Sequence, residues 1–182
     1  NKEPLPRNFT IGFVGNLRDY DHFQAIENLL EKTEMSVLQA GASDFSQELT
    51  KLQFRFPKRF IRIGRYHEND LSSIYGKFHV MWCAYPDTYN YRHHVARRLH
   101  EACFLGIPLV ISEHACGNIS HLEENHIPFV TFTGDFYELE KAARELHQTI
   151  CKMNISYKES YDKYNRKQYQ IINEINENKL LS

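Results

Sequence analysis

The chain has 182 residues, 42% of them hydrophobic and 25% charged, which suits one domain with a single core and excludes a disordered chain. The formal net charge is −1, so we expect no nucleic-acid partner. The sequence has neither a long apolar run nor a secretory leader, which predicts a cytoplasmic protein. Because residue 1 is Asn and the first apolar run begins near Phe9, we expect a piece of a longer chain.

Apolar runs alternate with amphipathic stretches along the whole chain. The apolar runs predict strands at 9–15, 35–40, 59–63, 78–84, 109–112 and 128–132. Helices are predicted between them, from a stripe beginning at Phe23, at 43–53, at 70–75 with Asp70 as the cap, at 95–102 and at 135–151. Ser120 and Glu123 have the spacing of a capping box, which predicts the start of a further helix.

This alternation predicts an α/β fold, a doubly wound Rossmann-like parallel sheet of about six strands within residues 1–155. The strand order stays open at this level. If it is 3-2-1-4-5-6, ligands bind between strands one and four, beside residues 15–21 and 85–95. Residues 156–182 are predicted to form a C-terminal amphipathic helix, whose stripe begins at Tyr157 and packs on its own domain or on a partner domain.

The dinucleotide glycine fingerprint, the Walker loop and the nucleophile elbow are all missing from the sequence. The neighbouring residues His93 and His94, and the nearby His114 and Cys116, are potential metal ligands. Adjacent ligands rarely share one metal without others close by, so we expect no metal cofactor.

The segment 85–112 carries the most chemical information. A helix that begins near residues 92–94 would offer free N–H groups and a partial positive charge to a diphosphate. The side chains of His93, His94, Arg97 and Arg98 would add to that charge. Glu101 lies about 12 Å further along the helix than His93, a span that suits a ribose beyond two phosphates. Alternatively, Glu101 only pairs with a neighbouring arginine on a solvated face.

The stretch R-R-L-H-E-A-C-F-L-G-I-P-L-V-I-S at 97–112 resembles the N-K-L-x-E-A-x-x-x-G-x-P-V-V-x-S signature of GT-B glycosyltransferases, and is most similar to that of the group-one family of bacterial sugar transferases, family four. I-G-F-V-G-N-L at 11–17 resembles the family's opening strand and glycine turn. F-I-R-I-G-R-Y-H-E-N-D-L-S-S-I-Y at 60–75 resembles its V-x-x-x-G-x-x-x-x-x-x-L-x-x-x-Y block. The likeness spans about residues 9–150 and implies the C-terminal half of a GT-B fold, without the N-terminal acceptor domain.

The resemblance implies three catalytic residues, Arg18, His93 and Glu101. Glu101 matches the second glutamate of an E-x(7)-E pair, which holds the donor ribose, and His93 stands where the first glutamate meets the donor sugar. Arg18 would replace the family's arginine and lysine, since Asn16 and His22 stand at their places. The residues implied to bind the donor nucleotide sugar are Gly15, Asn16, Arg65, Tyr66, His94, Val95, Ala96, Arg97 and Arg98.

The implied activity is hexosyl transfer with retention, from a UDP- or GDP-linked sugar to a glycan or lipid-linked acceptor in polysaccharide biosynthesis. Positive side chains and a helix dipole, rather than a metal, would stabilise the leaving diphosphate. The full-length protein would work in the cytoplasm or peripherally at the inner face of the membrane, and the isolated chain would be inactive. Two alternatives stay open. Glu123 and Glu124 after Gly117 are a sign of a UDP-sugar 2-epimerase, and His93 is a sign of a degenerate, non-catalytic nucleotide-binding module.

Overall fold

The computed structural model describes residues 8–84, 87, 92, 97–105, 107–124 and 127–153. Within these residues, strands and helices alternate along the chain as the sequence predicts. The strands are β1 (Thr10–Val14), β2 (Ser36–Ala40), β3 (Phe60–Ile63), β4 (Val80–Cys83), β5 (Leu109–Ser112) and β6 (Phe129–Phe132). The helices are α1 (Tyr20–Lys32), α2 (Ser46–Arg55), α3 (Leu71–Tyr75), α4 (Arg97–Leu105), α5 (Cys116–Glu124) and α6 (Phe136–Met153). The predicted helix at 156–182 lies outside the described residues.

The six strands form one parallel sheet in the order β3-β2-β1-β4-β5-β6. Gly12 of β1 lies opposite Leu38 of β2 and Met81 of β4, which fixes the register at the centre of the sheet. The direction in which strands are added reverses between β1 and β4. Ligands of doubly wound sheets bind at such a reversal, outside the carboxyl ends of the strands.

Helices cover both faces of the sheet, because successive strand side chains point to opposite sides and nearly all of them are apolar. One face, which includes Phe13 and Trp82, packs against α1, α2 and α6. The other face, which includes Met81 and Ile111, packs against α3, α4 and α5. The strands are therefore rigid and buried, and only the loops at their ends are available for binding.

One predicted cap is not made, and one predicted helix start is wrong. α3 begins at Leu71 directly after Asp70, as predicted, but the Asp70 carboxylate accepts a hydrogen bond from the His67 N–H (3.0 Å) and makes no side-chain cap, since the Asp70 backbone is already helical. Ser120 opens no helix, because α5 begins four residues earlier at Cys116. Packing decides this start: Asn118 and Leu122, four positions apart on one face of α5, are both buried.

A capped start is found at α6. The Asp135 carboxylate accepts hydrogen bonds from the backbone N–H groups of Tyr137 (2.8 Å) and Glu138 (3.1 Å). None of the helices within the described residues is both long and apolar enough to cross a membrane.

Candidate functional site

Two glycine turns that follow β1 and β2 run together at the carboxyl edge of the sheet. Gly15 and Gly41 have φ angles of +123° and +121°, a region that favours glycine. The Gly15 N–H donates to the Ala40 carbonyl (2.7 Å), and the Leu17 N–H donates to the Ala42 carbonyl (2.8 Å). A Cβ on Gly41 would lie 2.3 Å from the Gly15 carbonyl oxygen, so the two turns can approach this closely only with glycine at position 41. They form one continuous wall.

Arg98 and Glu101 of α4 lie near the Gly15 turn, and hydrogen bonds to two tyrosines hold them in place. The Arg98 Nη1 donates to the Tyr66 hydroxyl at 2.9 Å, and it lies 3.5 Å from Oε2 of Glu101. The same carboxylate oxygen accepts a hydrogen bond from the Tyr75 hydroxyl at 2.7 Å. Arg98 also lies so close to Gly15 that a Cβ there would be 2.5 Å from its Nη2. The Gly15 turn, the stretch from Tyr66 to Tyr75, and helix α4, which are distant from one another in sequence, thus meet at one point.

The environment keeps these groups in defined protonation states. Burial alone would lower the pKa of Arg98, but the hydrogen bond to Tyr66 and the charge of Glu101 outweigh it, and the pKa is raised. Burial, reinforced by the hydrogen bond to Glu101, raises the pKa of Tyr75. A permanently charged guanidinium and a permanently protonated phenol therefore hold the Glu101 carboxylate in place.

Tyr66, Arg98 and Glu101 line an open cavity of about 390 Å³, which we call the donor cavity after the role that we propose for it below. Of the twelve predicted site residues, the structure brings six together here: Asn16, Arg18, Arg65, Tyr66, Arg98 and Glu101. Gly15 lines a smaller adjoining cavity of about 140 Å³, which shares Asn16 and Arg98 with the donor cavity. This location matches the reversal of strand order, where the fold predicts a ligand.

The remaining predicted residues are not brought to this cavity by the described structure. His93, His94, Val95 and Ala96 lie outside the described residues. Arg97 is described only by its backbone, as the first residue of α4. Their predicted roles therefore stay predictions.

Sequence reasoning missed several residues of the cavity. Leu71 lines the cavity, and Tyr75 donates to Glu101 from beside it; both belong to the L-S-S-I-Y stretch, for which the resemblance implies no binding residue. Gly41 and Ala42 also line the cavity, although the sequence predicts only that the second strand ends before them. A glycine at the end of a second parallel strand, beside the first glycine turn, was the available signal.

The donor cavity can hold an anion with a hydroxylated neighbour. Three guanidinium groups, of Arg18, Arg65 and Arg98, line it together with the Glu101 carboxylate. Guanidinium groups bind phosphates in a bidentate manner, and a carboxylate accepts from paired hydroxyls. In the part of the chain that the structure describes, no group of three or more His, Cys, Asp or Glu residues is placed to hold a metal ion. Glu123 and Glu124, the pair associated with an epimerase, lie exposed at the end of α5.

The fold is that of the GT-B glycosyltransferases, which confirms the predicted fold class. Among solved structures, HepE from Anabaena in complex with UDP-glucose is similar with a TM-score of 0.58 and 16% identity, over 90% of this chain and 49% of that one. WaaG, a glycosyltransferase involved in lipopolysaccharide biosynthesis, is similar with a TM-score of 0.57 and 13% identity, over 87% of this chain and 43% of that one.

TarM from S. aureus, solved as a variant with UDP among its ligands, has a TM-score of 0.52 and 11% identity, over 91% of this chain and 37% of that one. The chain therefore spans half or less of the length of these glycosyltransferases. Neither a protein-family model nor a curated protein sequence matches it.

Proposed function

We propose that the chain is the donor-binding half of a glycosyltransferase, and that the donor cavity holds the nucleoside diphosphate of a sugar nucleotide. The observation that carries this proposal is the set of charges in the cavity, three arginines around the single carboxylate of Glu101. Arginines suit two phosphates, and the carboxylate suits the ribose hydroxyls. Support comes from similarly folded proteins that were solved with UDP or UDP-glucose.

In this proposal each part of the donor has its own contacts. Arg65 and Tyr66 flank the base, and Glu101, held by Tyr75, accepts from the ribose hydroxyls. Arg18 and Arg98 bind the diphosphate beside the Gly15 turn, and the amino-terminal end of α4 contributes its dipole. Charge develops on the leaving diphosphate during transfer, and these cations stabilise it without a metal.

The complete enzyme transfers a hexosyl group with retention to a glycan or lipid-linked acceptor in polysaccharide assembly at the inner face of the membrane. The acceptor-binding domain belongs to a longer chain, whose donor half spans residues 1–155 and whose final helix spans 156–182. His93 takes the place of the glutamate that meets the donor sugar. The 182-residue chain alone binds the donor and transfers nothing. Turnover of a sugar nucleotide by this chain would contradict the proposal that transfer requires the acceptor-binding domain.

The test is isothermal calorimetry with UDP, GDP, ADP and CMP, each with and without magnesium. We expect one diphosphate to bind selectively and without a requirement for magnesium. Glu101→Ala should weaken that binding by about 1–3 kcal/mol, because a hydrogen bond to a charged group is lost.

The matched control is Glu48→Ala, which removes an exposed carboxylate from α2 and should leave the affinity unchanged. A chain that binds none of the four nucleotides, or that binds equally well after Glu101→Ala, would contradict the proposal. A degenerate module that binds a nucleotide without using Glu101 would give the second of these results.

A further inference from the structure

A second open cavity of about 410 Å³ lies at the same edge of the sheet, beyond β4. Part of its lining is a continuous aromatic array. Trp82 contacts Phe132 with 5.0 Å between ring centroids, and Phe132 contacts Phe136 at the same separation. Trp82 also stacks on Phe13, which anchors the array in the core of the sheet. The cavity therefore offers a fixed apolar surface to a ligand.

The polar part of the lining comes from more than one element. Asp21 and Asn28 belong to α1, and Glu113 directly follows β5. Unlike the donor cavity with its three arginines, this cavity has no lysine or arginine among its described lining residues, although the Lys32 ammonium lies 5.5 Å from the centroid of the Phe136 ring. Its two carboxylates disfavour a phosphate and favour hydroxyl donors.

Trp82 carries an unused hydrogen-bond donor in this region. Its side chain is 6% exposed, and its Nε1 has no hydrogen-bond partner among the described residues. Because this nitrogen is itself buried, a ligand in the open cavity could contact the Trp82 ring but not its N–H. The neighbouring Gln39 is fully buried and likewise has an unpaired amide oxygen, although its Nε2 donates to the Gly41 carbonyl at 3.2 Å.

The small cavity of about 140 Å³ joins the two large ones. It shares Asn16 and Arg98 with the donor cavity, and it shares His22 and Trp82 with the second cavity. The three spaces thus follow one another along the carboxyl edge of the sheet. The cationic end lies at β1 to β3, and the aromatic, acidic end lies at β4 to β6.

We propose that the second cavity binds an uncharged sugar ring of the acceptor, with the ring against the aromatic array and its hydroxyls on Asn28 and Glu113. This inference rests on the proposed function, because it takes the donor's diphosphate to lie beside Asn16 and Arg98. The donor half of the enzyme then contributes to the choice of acceptor as well as to donor binding.

The test is ligand-observed NMR of the 182-residue chain with methyl α-glucopyranoside and methyl N-acetylglucosaminide, in the presence and absence of UDP. Asn28→Ala and Glu113→Ala should each weaken glycoside binding about five- to tenfold, the effect of losing one hydrogen bond. Trp82→Phe keeps an aromatic ring but reduces the area of the array, so it should also weaken glycoside binding; because it removes buried volume, denaturant unfolding checks that the variant is folded. UDP affinity should stay within about twofold in all three variants, since none of these residues lines the donor cavity.

The matched controls are Asn69→Ala and Glu48→Ala, which change exposed residues far from the cavity in sequence and should leave glycoside binding unchanged. A chain that binds UDP but no glycoside, or a chain whose three cavity variants bind glycoside as tightly as the original, overturns the inference. A loss of affinity for UDP-glucose relative to UDP in these variants also overturns it, because the occupant would then be the donor's own sugar. Failure to bind UDP contradicts the proposed function instead. In that case the glycoside titration without UDP still shows whether the second cavity binds a sugar ring.

Discussion

At the scale of single residues, Gly15 is required for two separate reasons. Its φ of +123° is a conformation that other residues rarely adopt, and a Cβ would lie 2.5 Å from the Arg98 Nη2. The second conflict can be relieved, because the end of an arginine side chain is flexible. A substitution would therefore displace the guanidinium from the donor cavity rather than prevent folding.

We predict that Gly15→Ala lowers the free energy of unfolding by about 1–3 kcal/mol through backbone strain, and weakens nucleotide binding through the displacement of Arg98. Denaturant unfolding and calorimetry measure the two effects. The control is Gly64→Ala, because Gly64 has no positive φ and a Cβ there would meet nothing within 4 Å. Equal behaviour of the two variants would contradict the role given to Gly15.

Tyr75 acts through Glu101, and Tyr75→Phe isolates that contribution. The ring is 2% exposed and would stay in place, while the hydrogen bond to the carboxylate at 2.7 Å would be lost. Glu101 would keep its longer contact with Arg98 and shift toward it. We expect the free energy of unfolding to fall by about 1 kcal/mol and nucleotide affinity to fall about three- to tenfold, measured as above. Tyr137→Phe, at an exposed tyrosine, should change neither quantity.

At the scale of elements, α6 packs on the sheet through a cluster of rings at the edge opposite to the site. The His79 ring lies 4.9 Å from those of both Phe9 and His147, and the Arg144 guanidinium lies 4.9 Å from the Phe9 ring. The Thr10 N–H donates to the His79 Nδ1 at 3.1 Å, which requires that nitrogen to be unprotonated. Burial, followed by the nearby His147 and Arg144, lowers the pKa of His79 to about 4.

This cluster predicts a specific pH dependence of stability. Because the pKa of His79 falls from 6.5 in the unfolded chain to about 4 in the folded one, the unfolded state takes up the proton first. The contribution of His79 is therefore complete above pH 6.5 and is lost as the pH falls toward 4. Burial lowers the pKa of His147 in the same direction.

Denaturant unfolding at a series of pH values measures this loss. His79→Phe should reduce the slope, the remainder coming from His22, His100 and His147, whose pKa values burial also lowers, and it costs about 1–2 kcal/mol at neutral pH because the Thr10 N–H loses its acceptor. His67→Asn, at an exposed histidine, should leave the slope intact. If the slope is unchanged in His79→Phe, the pH dependence of stability comes from other groups and the prediction is wrong.

The same scale shows what the pattern of residues predicts well and what it predicts poorly. Strands such as β2 and β5 were located to within one residue, since buried parallel strands read as short apolar runs. The start of α5 was predicted poorly, because Ser120 fits a local capping pattern that tertiary contacts overrode.

At the scale of the whole molecule, charge is distributed unevenly. The formal net charge is −1, yet three arginines and one glutamate line the donor cavity. The attraction for a diphosphate is therefore local to the cavity. It arises because the fold brings three arginines together, and not because the whole chain is positively charged. Such an attraction is screened by salt where the cavity is open to solvent.

We predict that UDP affinity falls about three- to tenfold when the salt concentration rises from about 0.05 M to about 0.5 M, because the guanidinium groups are screened. Uridine, which lacks the phosphates, is the control and should bind with little dependence on salt. Calorimetry at the two salt concentrations measures both ligands. Parallel behaviour of UDP and uridine would mean that the arginines do not contact the diphosphate.

The sequence by itself determined the alternation of six strands with helices, the GT-B resemblance and most of the polar residues of the donor cavity, from Asn16 to Glu101. These features are local, since they depend on periodicity and on motifs within a few turns of chain. Only the tertiary structure decided the strand order, the hydrogen bond from Tyr75 to Glu101, and the second cavity between α1 and the strands β4 to β6. Each of these joins segments that are distant in the chain, and their meeting depends on how the helices pack on both faces of the sheet.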